Sequence, residues 1–69
     1  MAEPTNDVKR QIIQQQIAGW EEARYSLQLQ HRVQAGLANQ QGSADIEKRL
    51  LDCEKALDML QKELDALGA

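Results

Sequence analysis

One apolar ladder limits what this chain can fold into. Ile46, Leu50, Cys53, Leu57, Leu60, Leu64 and Leu67 step by four and three residues without a break, the spacing that gathers side chains into one stripe of an α-helix. Around the ladder, Asp45 with Arg49 and Asp58 with Lys62 sit four residues apart with the acid first, the favourable order for exposed helical ion pairs. The remaining Glu and Lys of this segment read as a solvated face. The rest of the composition agrees with a helix: the chain leans on Leu, Ala, Gln, Glu, Lys and Asp, with one Pro, four Gly and no Phe, which argues against a sheet.

A stripe of this kind must be covered, and 69 residues make one domain at most. The strongest internal punctuation is Asn39, Gln40, Gln41, Gly42 and Ser43. Gly is favoured just past a helix end and Ser as an N-cap, so Gly42 is expected to close one helix and Ser43 to open the next. Pro4, Thr5, Asn6 and Asp7 make a suitable start for the first. The expectation is a single helical-hairpin domain over 1–69, with helix 1 over about 5–41, a tight turn at 42–43 and helix 2 over about 44–67. Gly36 is the competing stop, since a mid-helix Gly costs about 1 kcal/mol relative to Ala. It would lengthen the loop and shift the pairing, but Leu37 and Ala38 continue the helical pattern beyond it.

Helix 1 carries a matching ladder through Ile13, Ile17, Trp20, Arg24, Leu27, His31, Gln34 and Ala38, with Ile17, Trp20 and Leu27 as its intrachain seam residues. A turn at Gly42 pairs residues whose numbers sum to about 85. That places Leu67 near Ile17, Leu64 near Trp20, Leu57 near Leu27 and Cys53 near His31 or Arg32. Trp20 reads as a core anchor and Tyr25 as a seam-edge residue near Leu60. Helix 1 then overhangs its partner by about three turns, leaving Val8, Ile12 and Ile13 uncovered.

A second ladder runs along another face: Val8, Ile12, Gly19, Ala23, Ser26, Val33 and Leu37, with Gln16 and Gln30 beside it. Its middle is small and its ends are branched or long, so a second helix can approach at the centre and be held at both ends. Two adhesive faces call for two neighbours, and the hairpin supplies one, so Ile12, Ile13 and Ile17 with the Gly19, Ala23 and Ser26 strip are expected to carry self-association. The expected architecture is therefore all-α, an antiparallel hairpin dimerising into a four-helix bundle or coiled-coil-like assembly. In it the segment IIQQQIAGW packs against a copy of itself in an antiparallel homodimer, with Gln16 and Gln30 as candidate register pins because each buried amide must find a partner; the alternative is that these glutamines are solvated boundary residues.

The chemistry-bearing residues are few. One His and one Cys, with no Gly-rich phosphate loop and no CxxC, argue against an enzyme, and no cofactor is expected. His31 and Cys53 fall within about a turn of each other in the expected hairpin, so a two-fold dimer could assemble a Cys2His2 zinc site. A small core thiol and an edge histidine explain both residues more simply. Lys9, Arg10, Arg24 and Arg32 offer a basic stripe for nucleic acid, but Glu21 and Glu22 interrupt it, and the net charge is −3. No apolar run approaches the roughly 20 residues of a membrane span, and a lone cysteine fits a reducing compartment, so a cytoplasmic location is expected. The expected function is that of a small non-enzymatic structural or adaptor protein acting through self-association and protein–protein contact. A nucleic-acid-binding regulator and a metal or redox sensor are the alternatives.

Overall fold

The computed structural model describes residues 3–68 and contains two helices, α1 (Asn6–Gly36) and α2 (Gln40–Gly68), packed against each other as a hairpin. Thr5 opens α1. Its backbone is extended (φ −64°, ψ 162°) and its hydroxyl accepts the Val8 N–H at 3.3 Å, the N-cap arrangement that satisfies one of the free donors of the first turn. Asp7 in that turn complements the positive end of the helix dipole.

The turn lies earlier than the punctuation predicts. Helix α1 stops at Gly36, and Leu37 and Ala38 form the turn. The Asn39 N–H reaches back to the Gln34 carbonyl at 2.9 Å, and the Ala38 N–H reaches the Ala35 carbonyl at 3.1 Å. These are the paired bonds of a Schellman motif, in which the residue past the cap adopts a left-handed backbone. That residue is Ala38, at φ 56°, a position normally given to Gly because a Cβ is crowded there.

Asn39, rather than Ser43, starts α2. Its side-chain oxygen accepts the Gly42 N–H at 3.0 Å, its carbonyl accepts the Ser43 N–H at 3.0 Å, and its amide donates to the Gln34 side chain at 2.8 Å. Gly42 sits beneath this pair: a Cβ there would come within 2.9 Å of both the Asn39 amide nitrogen and the Gln34 oxygen. A side chain at Gly42 would push the ends of these two side chains aside, and Gly42 does not end the first helix.

The earlier turn moves the pairing. His31 hydrogen-bonds Glu47 across the hairpin at 3.1 Å, so facing residues have numbers summing to about 78. Ile13 accordingly shares a cleft with Glu63 and Leu67, and Trp20 shares one with Ala56 and Leu60. The change from the expected sum is about seven, one heptad. The same two ladders therefore still face each other while every partner changes. Cys53 meets the Ala23–Leu27 level of α1 instead of His31, and Leu67 reaches Ile13 instead of Ile17. The expected three-turn overhang also disappears, because Gly68 falls opposite about residue 10 and α1 extends past it by about one turn.

The seam of α2 is as the ladder requires. Ile46 and Cys53 are 7% and 2% exposed, and Leu50, Leu57, Leu60, Leu64 and Leu67 are half-buried. Opposite them, Ile13, Ile17, Arg24, Leu27, His31 and Gln34 are half-buried. Ile13 thus belongs to the hairpin seam and not to an outer face. Arg24, His31 and Gln34 put polar groups on this seam, the His31 ring meeting Glu47 and the Gln34 side chain accepting from the Asn39 amide. The hairpin is thin, 52 × 21 × 14 Å with a radius of gyration of 15.9 Å, where a compact chain of this length would have about 11 Å.

Candidate interaction face

Beside its seam, α1 presents Ile12, Gln16, Gly19, Ala23, Ser26, Gln30 and Val33, spaced by three and four and turned about 100° around the helix from the seam. All but Ala23, which is half-buried, are exposed. Val8 and Leu37 extend the strip at its two ends, at 43% and 71% exposed. Leu37 does so from the turn.

Helix α2 contributes a strip to the same side. Arg49 and Asp52 border a shallow cleft with Ala23, Ser26 and Gln30, while Ala56, Met59 and Glu63 border one with Trp20. A third lies on α1 itself between Gln16, Gly19 and Ala23, and a fourth joins Ile12 to Glu63. They merge into one shallow valley along the broad side of the hairpin. Small residues floor its centre (Gly19, Ala23, Ser26, Ala56), and larger apolar ones stand towards its ends (Ile12, Val33) and on its α2 bank (Met59).

The opposite side has a different character. By helical phase it carries Gln14, Glu21, Gln28 and Arg32 from α1 with Glu47, Glu54, Asp58, Gln61 and Asp65 from α2, together with Tyr25 and Leu51, all exposed. Asp58 pairs with Lys62 at 3.1 Å on this helix, whereas the expected Asp45–Arg49 pair is not formed. Exposed pairs of this kind add little stability, so this side is best described as solvated.

Trp20 is 37% exposed and borders the valley as well as the seam. It is only partly the core anchor its ladder position implies, and its free edge is the largest aromatic surface on the face, the residue type that concentrates binding energy at helical interfaces. Tyr25 lies on the outside of α1 at 59% exposed, and the new register removes it from Leu60.

The other candidate chemistries separate. His31 is held by Glu47, and Cys53 packs opposite about residue 25, roughly 9 Å further along the axis at 1.5 Å per residue. The two are not brought together as metal ligands within the chain, and among the described residues no group of three or more His, Cys, Asp or Glu converges. Of the basic residues, Lys9 pairs with Glu3 at 3.1 Å and Arg10 with Asp7 at 3.3 Å, while Arg24 lies half-buried in the seam. They do not form one stripe. No described helix is long and apolar enough to cross a membrane.

The α2 half of the valley escapes a reading of the sequence ladder by ladder. Arg49, Asp52, Ala56, Met59 and Glu63 look like solvated filler between seam residues. The available signal is that Ala56 and Met59, uncharged among charges, recur at helical spacing on one flank of the seam. Comparison of the chain with protein-family models, with curated proteins and with solved structures finds no match.

Proposed function

We propose that the protein is a small non-enzymatic structural or adaptor component that works by helix–helix association, with a second copy of itself as its first partner. The valley side of the hairpin, from Val8 through Gly19 and Ser26 to Leu37, carries the association, and the solvated side stays free. Turnover plays no part in this reading.

The observation that carries it is the amount of surface left uncovered. The hairpin exposes 5442 Å², whereas a folded monomer of 7.8 kDa exposes about 4,400 Å² by the general scaling of surface with mass. The excess, about 1,000 Å², is close to what one partner contributes to a stable interface, about 800 Å². The broad side measures 52 by 21 Å, an area on the order of 1,000 Å², so a single docking event on that side accounts for the whole excess.

The test is absolute mass by light scattering across a hundredfold dilution, with helicity followed in parallel. The wild-type chain is expected to run as a multiple of one chain and Ser26→Glu as a single chain, because a carboxylate at the small centre blocks close approach. Gln28→Glu on the solvated side is expected to leave the mass unchanged. A wild-type mass of one chain at every concentration refutes self-association.

A further inference from the structure

Resting on the self-association reading, we infer that the valley receives the second copy antiparallel to the first, about a two-fold axis at the level of Ala23 and Ala56. A two-fold interface is self-complementary: if residue i meets residue j, then j meets i. Along an antiparallel helix pair this requires residues at equal distances on either side of the centre to be compatible with each other: alike where apolar or amide, opposite where charged.

The α1 strip meets that requirement. From Ala23 outward it reads Gly19 and Ser26, then Gln16 and Gln30, then Ile12 and Val33, then Val8 and Leu37. At each step both directions offer the same class of side chain: small, amide, branched, apolar. A parallel pairing sets each residue against its own copy and does not call for this symmetry. Gln16 and Gln30 become each other's partners across the interface, so each amide can be both donor and acceptor to its mate. Among the described residues the Gln30 side chain donates to Ser26 alone, at a long 3.4 Å.

Helix α2 supplies an independent observation. On the valley side Arg49 and Glu63 stand at equal distances on either side of Ala56, with Asp52 and Met59 between them as the one unmatched step. Among the described residues neither joins an ion pair within the chain. In an antiparallel α2–α2 pairing centred on Ala56, the Arg49 of each copy meets the Glu63 of the other. This centre is fixed by charge, and that of α1 by side-chain size and polarity. The observed hairpin register, with facing numbers near 78, puts Ala56 opposite about residue 22, level with the α1 centre. One axis therefore serves both helices. In the resulting four-helix bundle every neighbouring pair of helices is antiparallel, the arrangement their dipoles favour.

The test uses the full chain and the distance between the charged pair. Within one chain Arg49 and Glu63 are separated by about 21 Å of helix, so compensation between them can arise only across two chains. Arg49→Glu and Glu63→Arg are each expected to raise the dimer dissociation constant about tenfold at low salt, and the double reversal is expected to restore it. Cross-linking gives the second readout, in a Cys53→Ala background under mild oxidation. Ala23→Cys is expected to link to its own copy. Gln30→Cys is expected to give no link alone, the two sulfurs being about 20 Å apart along the bundle, but to link to a Gln16→Cys chain when the two are mixed. A dimer in which the double reversal associates no better than either single change, or in which Gln30→Cys links to itself, overturns the antiparallel arrangement and leaves self-association standing. A wild-type chain that is monomeric throughout removes both.

Discussion

Replacing Ala38 by glycine is expected to stabilise the hairpin, and the sign of the effect reports where the chain turns. Ala38 occupies the left-handed region at φ 56°, where an L-residue bears a penalty of roughly 1–2 kcal/mol that Gly avoids. Glycine's greater freedom in the unfolded chain takes back about 0.4–1 kcal/mol. The net gain is about 0.5–1 kcal/mol, which for a chain of this size raises the thermal midpoint by roughly 2–8 °C. Had the chain continued as helix through Ala38 to a turn at Gly42, the same change would fall inside a helix and destabilise it by about 0.8–1 kcal/mol. The two geometries therefore predict opposite signs. Thermal and urea unfolding followed by circular dichroism, at one fixed protein concentration because association shifts midpoints, gives the answer. A lower midpoint for Ala38→Gly refutes the Schellman turn and the register built on it. Gly36→Ala provides the matched control: open space surrounds that Cα and its position is helical, so a gain of about 0.5–1 kcal/mol is expected.

Asn39→Ala removes the cap of α2 and is expected to destabilise by about 1 kcal/mol in urea unfolding; an unchanged midpoint would place the helix start elsewhere. Gly42→Ala, whose methyl displaces the ends of the Asn39 and Gln34 side chains, is expected to exchange their amide contact for alanine's higher helix propensity and to change the urea midpoint by less than about 1 kcal/mol. Ile46→Ala truncates one of the two buried side chains and is expected to cost about 2–3 kcal/mol, the low end for core truncations because the neighbouring seam is only half-buried. Glu47→Ala, by contrast, removes an exposed partner of His31 and is expected to change the urea midpoint by less than about 0.5 kcal/mol.

The sequence makes some of this structure legible and hides the rest for a definite reason. The α2 seam can be read residue by residue, from Ile46 to Leu67, because each apolar position is set by helical phase alone. Both helices and the Thr5 start follow from the same local rules. The pairing between helices is different. A ladder stepping by four and three maps onto itself after seven residues, so sliding one helix by a heptad leaves the same stripes in contact and changes only the neighbours. Nothing in either ladder separates the two alignments. The turn decides, and its two key residues work against their usual habits: Ala38 takes a glycine's backbone, and Gly42 lies beneath an asparagine cap. The α1 strip of the valley, from Ile12 to Val33, is visible as a second ladder. The α2 bank is not, because Arg49 and Glu63 resemble ordinary solvated charges until the antiparallel packing of the two seams sets them on the same side as Ser26.

The unequal sides of the hairpin bear on how far assembly can proceed. A subunit with adhesive surfaces front and back can stack without end, and a modest rise in concentration then produces fibres. Here the reverse of the valley is covered with Glu21, Gln28, Arg32, Glu47, Glu54, Asp58 and Asp65, all in contact with water. Once the valley is occupied, the outer surface offers mainly charge and amides to any further copy, with Tyr25, Leu29 and Leu51 as its exposed large apolar residues. On the proposed reading, further growth would have to rest on those three residues, and added protein is expected to raise the number of particles instead of their length.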